Sequence, residues 1–165
     1  MKNYIIDGYN VGFADNTIAG WISRGDIDRA IQMIINKIES IIPDNISKII
    51  LVLDGKHGYY NKNFNTYRIK VIFSRKPETA DDIIRSVIRH EKKPEDWIVV
   101  SSDSEIKNTA QDMRAQSLNA SEFLRSGKKK SKDLTKQEPE IKYDPEMNDL
   151  NYWLEQFRNK DSENE

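Results

Sequence analysis

The apolar residues of this chain fall in short unbroken runs, and that restricts its fold more than any other feature. Tyr4-Ile5-Ile6, Ile49-Ile50-Leu51-Val52-Leu53, Ile69-Lys70-Val71-Ile72-Phe73 and Trp97-Ile98-Val99-Val100 are nearly continuous rather than alternating. A strand with one wet face alternates apolar and polar residues, whereas a strand covered on both faces does not need to. Between the first two runs, Ile27, Ala30, Ile31, Ile34, Ile35, Ile38, Ile41 and Ile42 recur at spacings of three and four. That spacing predicts an amphipathic helix, capped by Asp26 and ended by Pro43-Asp44-Asn45. Strand, helix and strand in this order make a βαβ unit, so the expected class is α/β with a mostly parallel central sheet.

Thr79 followed by Asp82 resembles a capping box, and Ile83, Ile84, Val87 and Ile88 supply a second helical stripe. A helix from Glu105 to Met113, a short strand over Ser117–Ala120 and a last short helix at Ser121–Leu124 complete a domain spanning 1–125. Asp7-Gly8-Tyr9-Asn10 reads as a turn, and His57–Thr66 as an exposed polar and aromatic excursion. From Ser126 the texture changes to Ser-Gly-Lys-Lys-Lys-Ser-Lys, too polar to offset the entropy of ordering, so 126–145 reads as a lysine-rich linker. Met147, Leu150, Tyr152, Trp153, Leu154 and Phe157 then predict an amphipathic, tethered C-terminal helix over 146–158, followed by a polar tail, 159–165.

Composition narrows the chemistry. The 165 residues contain no cysteine and two histidines, His57 and His90, which excludes disulfide scaffolds, thiol catalysis and zinc-thiolate or histidine-rich metal centres. Lysine and arginine number 26 against 27 aspartate and glutamate, so any basic surface is local. No run approaches the length of a membrane span, and the first residues lack the apolar core of a signal peptide. A soluble cytoplasmic protein with no membrane partner is expected.

The strand runs end repeatedly in acids: Asp7 after the first, Asp54 after the second and Asp103 after the fourth, with Asp81 and Asp82 opening the helix after the third. Ligands of open parallel sheets bind outside the carboxyl ends of the strands, which is where these residues are expected to meet. Converging carboxylates repel and raise one another's pKa unless a cation neutralises them, and Mg²⁺ or Mn²⁺ is the natural occupant of an oxygen-only site. Such a site suits phosphodiester hydrolysis by an activated water. Taken singly, each acid is equally a turn or cap residue. Asn10 can hold Asp7, contact a phosphate oxygen or form an Asx-turn; Ser101 and Ser102 are phosphate contacts or turn formers; Glu105 is a supporting carboxylate or a first-turn acid.

Ile5-Ile6-Asp7-Gly8-Tyr9-Asn10, Asp54-Gly55, Glu78-Thr79-Ala80-Asp81 and Val99-Val100-Ser101-Ser102-Asp103, in this order and spacing, resemble the NYN domain of the YacP-like group, a branch of the PIN-like nucleases. The likeness runs from Met1 to about Leu124. It implies a PIN-like α/β/α sandwich and metal-dependent endoribonuclease activity, with Asp7, Asp81 and Asp103 as the metal-binding acids and Asn10 as the motif asparagine; beside them Asp82 is read from its position as a further catalytic acid, and Asp54, Ser102 and Glu105 as residues that tune the metal or position water. The group is similar to a bacterial nuclease that cuts messenger RNA on translating ribosomes, which implies mRNA and the ribosome as partners. Many PIN-like proteins carry a further acid about a turn into the central helix; Ile84 and Arg85 stand there in this chain, and Asp82 is the nearest substitute.

An acidic site that takes RNA needs positive and stacking groups around it. Tyr59, Tyr60, Lys62, Arg68, Arg75 and Lys76 are the candidates, with packing of the loop and a solvated strand face as the competing explanation. Asp7-Gly8-Tyr9-Asn10-Val11-Gly12 is not the G-x-G-x-x-G turn, so no nucleotide cofactor is expected. The other readings are a receiver-like phosphoacceptor domain centred on Asp54, which lacks the expected acid pair and late lysine, and an NYN domain that binds RNA or a ribosome without cutting.

Overall fold

The computed structural model describes residues 1–46, 48–55 and 62–135, and from 129 onward the backbone of one helix. Met1–Lys132 form one compact unit, and Asp133–Glu165 fall in a second. Tyr59, Tyr60, the 136–145 part of the linker, the 146–158 helix and the 159–165 tail lie outside the described residues.

Five strands, β1 (Asn3–Asp7), β2 (Lys48–Leu53), β3 (Ile69–Phe73), β4 (Trp97–Val100) and β5 (Gln116–Leu118), form one sheet in the order β3-β2-β1-β4-β5. Every pairing is parallel, with Asn3 opposite both Lys48 and Trp97 on the two sides of the central strand. Helices α1 (Gly8–Ala14), α2 (Asn16–Ser23), α3 (Ile27–Ile41), α4 (Ala80–His90), α5 (Ser104–Asp112) and α6 (Ala120–Thr135) complete the description. The unbroken apolar runs have the expected cause. Ile6, Leu51, Leu53 and Val100 pack with Val11, Ile31, Ile34 and Phe123 of α1, α3 and α6. Their neighbours Ile5, Ile50, Val52 and Val99 point the other way, onto Ile84, Ile88, Ile106 and Ala110 of α4 and α5. Alternate residues of each strand thus serve two cores, and the result is a three-layer α/β/α sandwich.

The strand order carries the functional consequence. From β1 the chain moves outward through β2 to β3, then crosses back to lay β4 on the other side of β1. The direction reverses between β1 and β4, and the crevice above their carboxyl ends is the topological switch point where such sheets bind ligands. A receiver domain has the order 2-1-3-4-5 instead, so the phosphoacceptor alternative does not match this topology.

Two expectations are corrected. Gly8, Tyr9 and Asn10 open α1 rather than forming a turn, and α2 follows it, because Gly8 and Gly12 lie where close packing leaves little space for a side chain: a Cβ on Gly12 would stand 3.0 Å from Ile22 and 3.1 Å from Ile34. The last helix does not stop near Leu124, and the linker does not begin at Ser126. α6 continues to Thr135, since lysine is a good helix former, Phe123 is buried beneath the helix and Gly127 lies against Ile41 of α3.

Candidate active site

Four helices begin at the carboxyl edge of the sheet, and at three of them, α1, α4 and α5, the candidate acids sit at the N-terminus. Asp7 ends β1 and is also the N-cap of α1, its Oδ1 accepting from the Asn10 N–H at 3.4 Å. Asp103 caps α5, accepting from the N–H groups of Glu105 (2.9 Å) and Ile106 (3.1 Å). Asp81 lies in the first turn of α4, whose cap is the reciprocal Thr79–Asp82 box. Unsatisfied N–H groups and the positive end of the helix dipole favour carboxylates at all three positions.

Seryl and amide side chains tie the pieces together. Ser101, fully buried at the end of β4, donates its hydroxyl to Asp7 Oδ2 at 3.1 Å and accepts from the Asp103 N–H at 3.1 Å. One hydroxyl therefore fixes the distance between the β1 acid and the α5 cap. Asn10 Oδ1 accepts from the Ser102 N–H at 2.9 Å, and Ser102 Oγ accepts from the Ala120 N–H at 3.2 Å. Asp7, Asn10, Asp54 and Asp81 line one cavity of about 570 Å³, together with Tyr9, Phe13, Ile22, Thr79 and Ala80.

The electrostatics match this convergence. Asp7 is 9% exposed, and burial pushes its carboxyl up to about 6; the Ser101 and Asn10 hydrogen bonds oppose the rise, while the charges of Asp81 and Asp103 add to it. Asp81 is raised as well, by partial burial first and then by Asp103, Asp82 and Glu105, with Arg85 pulling the other way. The charges of Asp81 and Asp103 thus both reach Asp7, and that of Asp103 reaches Asp81, while Asp103 is not among the residues that line the cavity. Among the described residues, no group of three or more His, Asp or Glu side chains is arranged to hold a metal ion. The chemistry of the donor set fits a hard divalent cation: all three are carboxylates, and each repels the others in a way that a cation relieves.

The remaining candidates separate. Asp82 is exposed and engaged in the capping box, and its carboxyl lies below the usual range because the Thr79 backbone N–H donates to it. Glu105 faces Arg85 of α4, with Nη1 donating to Oε2 at 3.3 Å. Arg68 is not brought to the site. Its side chain is 10% exposed, and its guanidinium donates to the carbonyls of Glu39 (3.3 Å), Ile42 (2.8 Å) and Pro43 (2.8 Å), closing the C-terminal end of α3. The expectation of an RNA contact there gives way to a structural clasp. Lys62 bonds Asp28 at 2.6 Å and lines, with Arg75, Phe64 and Phe73, a separate cleft of about 360 Å³. Lys76 is exposed in the segment between β3 and α4. Sequence reasoning left Ser101 ambiguous and assigned nothing to Arg85; a serine directly after a buried strand, followed at two residues by an acid, was the available signal for Ser101.

Comparison with solved structures gives two crystal structures of Rae1 (YacP) from Bacillus subtilis. One matches with a TM-score of 0.67 and 20% identity over 98% of this chain and 93% of that one. The other, a single-substitution mutant of the same protein, matches with a TM-score of 0.67 and 22% identity over 82% and 80% of the two chains. At this identity the likeness concerns the fold, which is the PIN-like α/β/α sandwich. No curated protein matches the sequence. No helix among the described residues is long and apolar enough to cross a membrane. The model of the YacP-like NYN domain matches residues 4–163, nearly the whole sequence, and the chain belongs to that family.

Proposed function

We propose that this protein is a divalent-metal-dependent endoribonuclease that cleaves single-stranded RNA, with messenger RNA on the ribosome as its substrate. The observation that carries the reading is the buried Asp7 at the carboxyl end of the central strand, beside the sheet's switch point, raised further by the charges of Asp81 and Asp103. Membership of the YacP-like family supports the nuclease assignment and the ribosomal setting.

In this mechanism Asp7, Asp81 and Asp103 are the residues that would hold Mg²⁺ or Mn²⁺. When bound, the cation supplies charge neutralisation at the scissile phosphate and a lowered pKa for the attacking water. Ser101 keeps Asp7 and the start of α5 in register. Asn10, with its Oδ1 occupied by the Ser102 N–H, has its amide N–H groups to offer a phosphate oxygen. Asp54 stands in the same cavity to orient water. Water attacking in line with the 3′-oxygen would form the new phosphorus–oxygen bond as the phosphorus–O3′ bond breaks, its oxygen going to the 5′-phosphate and a proton to the departing 3′-oxygen, which leaves 5′-phosphate and 3′-hydroxyl ends. Lys76, exposed between β3 and α4, supplies positive charge for the approaching strand, and Arg75 does so from its separate cleft.

The test is incubation of purified protein with translating ribosomes and mRNA, with and without Mn²⁺, followed by mapping of the 5′ ends. Manganese-dependent cuts with 5′-phosphates are expected. Full cleavage in excess EDTA, or 2′,3′-cyclic phosphate as the primary product, would overturn the mechanism.

A further inference from the structure

We propose that Arg85 is the residue that grips the substrate's phosphate, and that Glu105 holds it in place until RNA arrives. The proposal rests on the ribonuclease reading above and names a specific contact within it. Arg85 follows Asp81 by four residues on α4, so the two share one face of the helix, one turn apart. Its charge acts on Asp81 and Asp82 alike, and it is the cation that opposes the upward shift of Asp81.

Two arginines of this protein show what commitment and its absence look like. Arg68 has its fork on three backbone carbonyls and a fourth contact to Asp44 at 3.3 Å, with little of the side chain exposed. Arg85 makes one hydrogen bond among the described residues, Nη1 to Glu105 Oε2 at 3.3 Å, and that carboxylate is 74% exposed. The Arg85 Nε–H is buried and has no hydrogen-bond partner among the described residues. Buried N–H groups are nearly always satisfied, and a guanidinium carries five donors whose geometry matches two oxygens of one phosphate. A long contact to a solvated carboxylate shifts an equilibrium by no more than about five-fold, so a phosphodiester can displace it. Glu105 meanwhile has its backbone N–H on Asp103, which anchors its helix at the site rather than at the arginine. The exchange is Arg85–Glu105 before RNA and Arg85–phosphate after it, one ion pair for a stronger one.

The experiment measures binding of a short labelled oligouridylate to the full chain in Ca²⁺ by fluorescence anisotropy, across about 50 to 200 mM salt. Arg85→Gln is expected to weaken binding about ten-fold and to reduce the slope of log K against log salt by about 0.7, the loss of one single-strand phosphate contact. Arg85→Lys keeps the charge but loses the fork, so affinity falls about three-fold with the slope retained. Glu105→Gln is expected to tighten binding two- to five-fold, about the size of the contact it removes. Thermal melts accompany each variant, and if Arg85→Gln fails to fold, the opposite signs of Arg85→Lys and Glu105→Gln decide. Wild-type affinity in Arg85→Gln, a loss of affinity with the salt slope unchanged, or weakening by Glu105→Gln would each overturn the proposal, the last by marking the pair as a structural brace. Failure here is separable from failure of the reading beneath it, because that reading falls on cleavage assays, by full cleavage in excess EDTA, cyclic-phosphate products or undiminished cleavage by Asp81→Asn, and not on binding.

Discussion

Replacing Asp7 with asparagine is expected to make this protein more stable at neutral pH while removing its activity. The folded protein holds the Asp7 carboxyl at about 6 against an ordinary value of 3.8, chiefly by burial. Because the folded value is the higher, the stabilising form is the protonated one. Its contribution is fully present below pH 3.8 and is lost as pH rises through 6. At about 1.36 kcal/mol for each pH unit between the two values, the ionised Asp7 is a burden of about 3 kcal/mol at pH 7. Asparagine has nearly the same volume, caps a helix as well as aspartate does, and cannot ionise. It gives up one acceptor, so the Ser101 hydroxyl has to turn and accept from the new amide, which costs about 1 kcal/mol. The net gain is about 2 kcal/mol at pH 7, or roughly 4 to 8 °C in Tm for a chain of this size. Melts of both proteins in EDTA from pH 4 to pH 8 are the assay. The difference between them isolates Asp7, since other titrating groups are common to both. It should be near zero or slightly negative at pH 4 and grow in favour of asparagine through pH 6. A variant less stable than wild type by a constant amount at every pH would refute the reasoning.

Three further outcomes are expected. Asp81→Asn keeps volume and fold and removes a carboxylate whose ionised form the folded state disfavours, so melts at neutral pH should be no lower than wild type while RNA cleavage falls by about 100-fold or more; undiminished cleavage removes Asp81 from the site. Ser101→Ala strips Asp7 of a donor and the Asp103 N–H of its acceptor, and should cost about 1 to 3 kcal/mol. The Asp7 pKa, followed by NMR, should rise further, because that hydrogen bond lowers it. Gly8→Ala places a Cβ well inside contact distance of Leu53 Cδ2 and 3.0 Å from Leu51 Cδ1, so unfolding in urea should show about 1 to 3 kcal/mol less stability; an unaffected midpoint would mean the core gives way more easily than its packing suggests.

The strands were legible because burial on both faces leaves a run of apolar residues that nothing else in a chain this polar explains. α3 was legible for the related reason that its isoleucines repeat with the helical period, and Asp26 does cap it, accepting from the Arg29 N–H. α1 and α2 were not. Glycines at 8, 12 and 20 weaken local helix propensity, and these helices exist because Gly8 and Gly12 admit close neighbours in the tertiary structure, which no window of sequence contains. That Asp7 ends β1, Asp103 follows β4 and Asp81 opens α4 could be read from the apolar runs and the capping pattern around them. What spacing could not separate were residues of one type with different duties. Asp82 and Asp81 are adjacent, yet one is engaged in a cap and the other faces its fellow acids. Arg68 and Arg85 each stand beside an isoleucine, yet one closes a helix end and the other stands among carboxylates. Partners distant in sequence decide such cases.

The placement of β1 at the centre of the sheet has a consequence for how the site comes into being during synthesis. Asp7 is synthesised 94 positions before Ser101, the hydroxyl that holds it. At typical rates of about 5 to 20 residues per second, the leading acid waits roughly 5 to 20 s for its partners on β4 and α5. Until then β1 can pair on its β2 side alone, and Asp7 has neither Ser101 nor Asp103 beside it. Any activity that depends on the assembled cluster is therefore withheld from the nascent chain, and an incomplete product ending before Asp103 carries the opening motif without the chemistry.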